Sequence, residues 1–256
     1  MNILIGVYIF IVGSVFASFF GLLIDRLPKN LNVVSLKSRC DNCGHELKWY
    51  ENIPILSYIF LSGKCSKCKT KIPAFLFILE IIGGASILFI YLKYGLTIEC
   101  LIICLITLML VFIGGYDYKT NYVLNVSLYI LAALSLGLFA YRVFVLDKYL
   151  LNYVYSALMG FIFLFLIKVI MSKVLKREAL GNGDIFLITI MGLCFSPLEH
   201  MVALFLSSFI GSVVSIILIK VNKTDRHEEI AFCPYLCFGY YLMFIFGNII
   251  TKLLVG

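Results

Sequence analysis

Three acidic residues stand inside or at the edge of long apolar runs: Glu80, Asp117 and Asp184. An ionisable group in such a place is costly, so it marks a functional site by default. Asp117 closes one run in the string IGGYDYKTN, and Asp184 opens another in ALGNGDIFL. Two facing carboxylates cannot both ionise at short range and therefore hold one proton between them. The ionised member can take a proton from water while the protonated member polarises a carbonyl, which is the chemistry of peptide-bond hydrolysis, and the pair titrates as a unit. Taken singly, each acid also has a plainer role: Asp184 could be the N-cap of its helix, and Asp117 could reach the interface beside Tyr116 and Tyr118. Gly181 and Gly183 ahead of Asp184 suit a tight segment where backbones approach closely.

A second set of chemically capable residues is the pair of CxxC motifs, Cys40 with Cys43 in CDNCGH and Cys65 with Cys68 in CSKCKT. Two such pairs make a tetrahedral thiolate site for Zn²⁺, and the gap over residues 44–64 is slightly longer than the usual ribbon spacing. Free or redox-active thiols are the alternative, and His45 could stand in for one cysteine. With all four thiolates bound, the metal has no open position, so the expectation is a structural ion that folds a loop too small to have its own core. Cys100, Cys104, Cys194, Cys233 and Cys237 have no such context and read as small apolar packing.

The elements that must position these groups are membrane helices. The chain is 256 residues long, 62% hydrophobic and only 14% charged, and its mean hydropathy is +1.04. That excludes an ordinary soluble domain. The net charge of +7 would suggest nucleic acid in a soluble chain, but here it lies in loops between apolar runs, and no nucleic-acid partner is expected. Runs long enough to cross a bilayer fall at roughly 2–24, 74–94, 98–116, 122–143, 150–172, 184–198, 201–221 and 230–254. The first has no basic leader and no small-residue cleavage site, so it reads as a retained span.

All basic residues except Lys93, Arg142, Lys148 and Lys252 fall on one side of this alternating pattern. Positive charge stays cytoplasmic, which puts both termini outside, residues 25–72 in the cytoplasm, and the charge clusters in solvated loops. The third run then descends and the sixth ascends, so Asp117 and Asp184 meet at the cytoplasmic end. The sixth run gives only about 22 Å of helix at 1.5 Å per residue, so it starts below the membrane surface. Non-helical backbone at that depth needs protein cover or a water-filled cavity. The expected architecture is an all-α polytopic bundle of about eight transmembrane helices with a small cytoplasmic zinc-binding insertion. By segment this means helix 1 over 1–24, the four-cysteine zinc-binding module over 25–72, and the catalytic bundle over 73–256.

The string Gly181-Asn182-Gly183-Asp184 fits the GxGD signature of intramembrane aspartyl proteases. Together with Asp117, the CxxC pairs and the span count, it resembles the prepilin peptidases of type IV pilus and type II secretion systems. The resemblance extends over nearly the whole chain: ASFFGLLIDRLP ends at Arg26-Leu27-Pro28, NIPILSYIFLSGKCSKC lies between the cysteine pairs, and Ile230-Ala231-Phe232-Cys233-Pro234-Tyr235-Leu236 opens the last helix. It implies that Asp117 and Asp184 are the catalytic pair and that Cys40, Cys43, Cys65 and Cys68 are the metal ligands. It further implies cleavage, at the cytoplasmic face of a prokaryotic inner membrane, of the basic leader of pilin-like precursors just after a glycine. Many members also N-methylate the new terminus with S-adenosylmethionine, an activity that rests here on resemblance alone. Two departures concern prolines: Leu124 stands before Asn125 where the family has one, and Leu76-Phe77 precede Glu80 where it has Tyr-Pro. The glutamate is kept; Glu80 either supports the site or the methylation, or is a partner for Lys71 or a satisfied acid inside the bundle.

Three other readings share some of these features. A preflagellin-type peptidase has the same aspartate pair but does not account for the cysteines. A transporter could use the buried acids as a proton or cation site, though the two halves of the chain share no motif. A membrane scaffold could dock a partner through its metal module.

Overall fold

The computed structural model describes residues 3–31, 38–176, 180–222 and 231–255. Lys37, Arg177, Lys223 and Arg226 of the basic loops, and Ile230 of the last-helix string, lie outside the described residues. The ordered elements are helical, and they fall into two compact units, Met1–Gly95 and Leu96–Gly256.

In the first unit, α1 (Ile3–Arg26) ends in a 3-10 turn at Leu27–Lys29, where Pro28 supplies a fixed φ and removes a donor. A second 3-10 turn (Trp49–Asn52) and the short α2 (Leu56–Phe60) follow, then the long α3 (Ala74–Tyr94). α1 and α3 pack at close range because small residues face each other. A Cβ on Gly83 would lie 2.4 Å from that of Ala17, and one on Gly13 would lie 2.6 Å from the Gly83 carbonyl oxygen. Contact through glycine and alanine is how helices associate in a medium as apolar as their own side chains.

The second unit comprises α4 (Ile98–Thr120), α5 (Asn125–Phe144), α6 (Leu150–Leu175), α7 (Asn182–Gly192), α8 (Pro197–Asn222) and α9 (Cys233–Val255). Thr97 caps α4 by accepting the Cys100 N–H at 3.0 Å. Ser196 precedes α8, and its N–H and hydroxyl both donate to Glu199 Oε2, at 3.0 and 2.9 Å, so the carboxylate satisfies the backbone donor at the helix start as the glutamate of a capping box does. α4 packs against α5 and α9, α7 against α5 and α6, and α8 against α9.

Among the described residues, seven helices are long and apolar enough to cross a membrane, which makes this a multi-pass membrane protein. The sixth run of the sequence is the exception. It forms a helix of 11 residues that stops at Gly192, short of the expected residue 198, because Leu193–Ser196 turns and α8 begins at Pro197. Eleven residues rise about 16 Å, about half of a ~30 Å hydrocarbon core.

Candidate active site and metal centre

Asp117 lies in the last turn of α4, and its position is fixed by the cap that ends the helix. Asn121 takes a left-handed conformation (φ 52°) and donates its N–H to the Asp117 carbonyl at 2.8 Å, as C-terminal caps do. The Thr120 hydroxyl donates to the Tyr116 carbonyl at 2.8 Å and tightens the same turn. Leu124 leads into α5 with φ −72°, a value proline would also adopt, so the missing proline leaves the helix start unchanged.

Asp184 is the third residue of α7. The N-cap is Gly181, so Asp184 is not the cap that the plainer reading allowed; its carboxylate instead sits within the first turn, where the helix dipole favours negative charge. Gly183 explains how α7 can start there: a Cβ at this position would lie 2.8 Å from Val123 Cβ, in the loop that follows Asp117. The second glycine of the GxGD string is therefore a contact between the two segments that carry the acids. Gly181 is looser, since the nearest atom to a Cβ there would be Asp184 Oδ2 at 3.4 Å.

The two acids come together. Asp117 and Asp184 are 5% and 9% exposed and near enough to interact electrostatically. Both also act on Cys233, the first residue of α9. The backbone N–H of Cys233 donates to the Asp117 carboxylate, so the positive end of α9 points at the pair. Sequence reasoning treated Cys233 as plain packing. The available signal was the Cys233-Pro234 step: proline belongs in a first helical turn, where the backbone donors before it are free.

At the other end of α4, α5 and α7 lies a second polar group that the sequence reading passed over. Arg142, which the sequence sets at the outer end of the 122–143 run, is largely buried, with its side chain 13% exposed. It donates to Glu99 Oε1 at 2.8 Å and to the Cys194 carbonyl. From Glu99 to Asp117, α4 rises about 27 Å. α7 covers much less than that, and the long Arg142 side chain helps to bridge the difference. Burial requires such a charge to be paired and hydrogen-bonded, which is the physical reason it is not in solvent.

In the first unit the four cysteine sulfurs converge. Cys40 Sγ lies 3.7 Å from Cys68 Sγ, and Cys43 Sγ lies 4.0 Å from Cys65 Sγ; all four fall within 4.8 Å of one another. A tetrahedral ion with Zn–S bonds near 2.3 Å would set its sulfurs about 3.8 Å apart, so the donor set fits such a metal. Two matched turns present them. Cys40 N–H donates to the His45 carbonyl and Gly44 N–H to the Cys40 carbonyl, both at 2.9 Å. In the second turn Cys65 N–H donates to Thr70 at 2.9 Å and Lys69 N–H to Cys65 at 3.1 Å. Gly44 and Lys69 both take positive φ, 69° and 62°.

His45 is not a substitute ligand, because its Nε2 faces Glu51 Oε2 at 3.3 Å. Glu51 also accepts the Lys48 N–H at 2.8 Å, and hydrogen bonds led by that of Ser66 hold its carboxyl below the usual range. Thr70 does the same for Cys68: its side-chain and backbone hydrogen bonds pull the thiol down to about 5.

Glu80 belongs to this first unit. Its Oε2 accepts the N–H of Ile55 at 2.7 Å, and Ile55 has φ 64° and ψ −54°. With Leu56 N–H donating to the Pro54 carbonyl at 2.6 Å, residues 54–56 form a γ-turn of the strained kind. Glu80 thus holds a backbone donor in a conformation that a β-branched residue rarely adopts.

Comparison with known proteins agrees with this division. Residues 11–94 match the Bacterial Peptidase A24 N-terminal domain and residues 104–216 match the Type IV leader peptidase family. Proteins named prepilin leader peptidase/N-methyltransferase are similar in sequence. The one from Myxococcus xanthus is 29% identical over 84% of this chain and 64% of its own length, so the chain spans under two thirds of that relative. The Pseudomonas aeruginosa protein is 26% identical over 94% of this chain and 90% of its own, and the Bacillus subtilis protein 25% identical over 95% of each. No solved structure matches. The first matched region ends where the compact units divide and the second begins within α4, and together they show that the chain belongs to the type IV leader peptidase family.

Proposed function

We propose that this protein is an intramembrane aspartyl endopeptidase that removes the basic leader from type IV pilin-like precursors at the cytoplasmic face of a prokaryotic inner membrane, with Asp117 and Asp184 as the catalytic pair. The observation that carries this reading is the meeting of two buried carboxylates from α4 and α7 beside the N-terminus of α9. In the proposed reaction one carboxylate takes a proton from a water whose oxygen attacks the scissile carbonyl. The other donates a proton to the carbonyl oxygen. Collapse of the tetrahedral diol breaks the C–N bond, and the leaving amine takes up a proton. The water must reach the pair through a hydrated hollow, since the reaction consumes one.

The cysteine set is proposed to hold Zn²⁺ in a structural role, because four thiolates leave no coordination position for substrate. Its presence, with the match over residues 11–94, favours a prepilin peptidase over a preflagellin-type enzyme. The name carried by the relatives joins N-methyltransferase to peptidase, and this supports proposing that the freed terminus is methylated from S-adenosylmethionine; no residue is assigned to that step.

The test is direct. Purified protein in lipid is mixed with a precursor bearing a basic leader and a glycine before the cleavage point, and the products are weighed by mass spectrometry. The proposal requires two fragments divided after that glycine, and a further methyl on the mature one when S-adenosylmethionine is added. An intact precursor, with cation flux appearing in liposomes, would replace the peptidase by a transporter.

A further inference from the structure

The face that α2 turns away from α3 is unusually apolar for a loop segment. Phe60 is 82% exposed, Ile59 57% and Leu56 50%. At spacings of three and four residues these side chains share one side of the helix. Trp49, in the 3-10 turn that packs on α2, is 80% exposed.

The opposite side of α2 is committed. Tyr58 stacks on Phe77 at 4.5 Å with the rings 16° apart, and Ile55 is tied to Glu80. Phe77 and Glu80 lie in the first two turns of α3, within about 9 Å of its start at 1.5 Å per residue. The headgroup layer on each side of a bilayer is about 6–7 Å deep. A helix fastened to the opening turns of a span therefore lies at the depth of the headgroups.

Charge points the same way. Residues 52–79 contain no aspartate or glutamate, and the knuckle that follows Phe60 carries Lys64, Lys67, Lys69 and Lys71, all exposed. Exposed aromatic and aliphatic side chains beside clustered lysines are the chemistry of segments that lie in the interface of anionic membranes.

We propose that the cysteine module docks on the bilayer surface, with the outer face of α2 and Trp49 inserted among the headgroups and the four lysines set against anionic phosphates. The inference does not depend on the peptidase reading. It gives the short α2 and the Glu80-held turn a purpose: they fix the angle at which the apolar face meets the lipid.

Trp49 is the only tryptophan in the chain, so its fluorescence reports this surface alone. The full chain is reconstituted in phosphatidylcholine vesicles with and without phosphatidylglycerol. The expected result is blue-shifted emission, protection from aqueous iodide, and quenching by lipids brominated near the headgroup end of the acyl chain, all stronger with the anionic lipid. Replacing the four lysines by glutamine removes the dependence on anionic lipid, at about fivefold in partitioning per lysine. I59S/F60S abolishes quenching by brominated lipid, with retained metal content confirming that the module is folded. Emission like that of indole in water, with equal iodide quenching in detergent and bilayer, overturns the proposal. So does protection from iodide without quenching by brominated lipid, which means that a protein surface, a second copy included, covers Trp49.

Discussion

The two glycines of the GxGD string should respond very differently to the same substitution. A methyl group at Gly183 would sit 2.8 Å from Val123 Cβ and 3.0 Å from its Cγ2, whereas carbon atoms in good contact are about 3.5–4.0 Å apart. Val123 Cβ is bonded to the backbone and cannot rotate away, so the α7 start and the 121–124 loop must separate by about 1 Å. Overpacking of this kind costs about 1–3 kcal/mol, part of which alanine's better helix propensity offsets, by about 1 kcal/mol. The net is a loss of stability of up to about 2 kcal/mol. Catalysis does not escape, because Asp184 is the next residue and a displacement of about 1 Å can cost ~100-fold in rate. Gly181→Ala places its methyl 3.4 Å from Asp184 Oδ2, outside the helix interior, and should keep activity within about threefold, a loss under ~1 kcal/mol. The assay is kcat/KM for precursor cleavage by G183A, G181A, G183A/V123A and G183A/V123G. Val123→Ala leaves the offending Cβ in place, so only the glycine partner should restore most of the rate. If G181A proves the damaging change, or if V123G gives no recovery, the steric account of the motif is wrong.

Cys65→Ser should remove one of four thiolates, release the metal and loosen residues 38–73; metal content by mass spectrometry and protease sensitivity of that segment check this, and a metal-free but protease-resistant module would refute it. In protein stripped of metal, the thiols should alkylate in a fixed order at pH 7. Cys68 is pulled to about 5 by Thr70 and is thiolate. Cys43 is pushed up to about 11: the His45 backbone hydrogen bond lowers it, but partial loss of hydration and the hydrogen bonds of the thiols of Cys68, Cys40 and Cys65 outweigh that, so it stays protonated. Iodoacetamide mapping should find Cys68 modified first, with its rate falling only as the pH drops toward 5. Glu80→Ala leaves the Ile55 N–H without its acceptor and should cost about 1–3 kcal/mol, seen as lowered thermal stability of the first unit, while Glu80→Gln keeps an acceptor oxygen and should be milder. Equal stability of the two variants would deny Glu80 this role.

The long helices were legible because hydropathy over some 20 residues is a strong signal and little competes with it. The short one was legible only in part. Hydropathy runs without a break from Asp184 to Phe195, so it cannot register that the chain turns over Leu193–Ser196 and starts a new helix at Pro197. Charge was read through the rule that basic residues mark loops, and Arg142 defeats that rule, since its partners Glu99 and Cys194 come from other helices. The cysteine set could be read because its ligands are close in sequence and of one chemical type. Which way His45 turns could not, because that depends on Glu51 and the 3-10 turn that presents it. The acids themselves stood out by being misplaced among apolar residues. What the sequence did not carry was the backbone donor of Cys233, which has no side-chain signature and arises only when α9 packs against α4.

The central claim is that Asp117 and Asp184 act as one catalytic unit. Cleavage of a single precursor by the wild type, D117N, D184N and D117N/D184N, each reconstituted in lipid and checked for retained fold, tests it most directly. Groups that work jointly give losses that do not add, so each single change should cost about 10³-fold or more and the double change no more than the worse single one. A single variant that still cleaves within about tenfold of wild type, or losses that multiply in the double variant, would contradict the account.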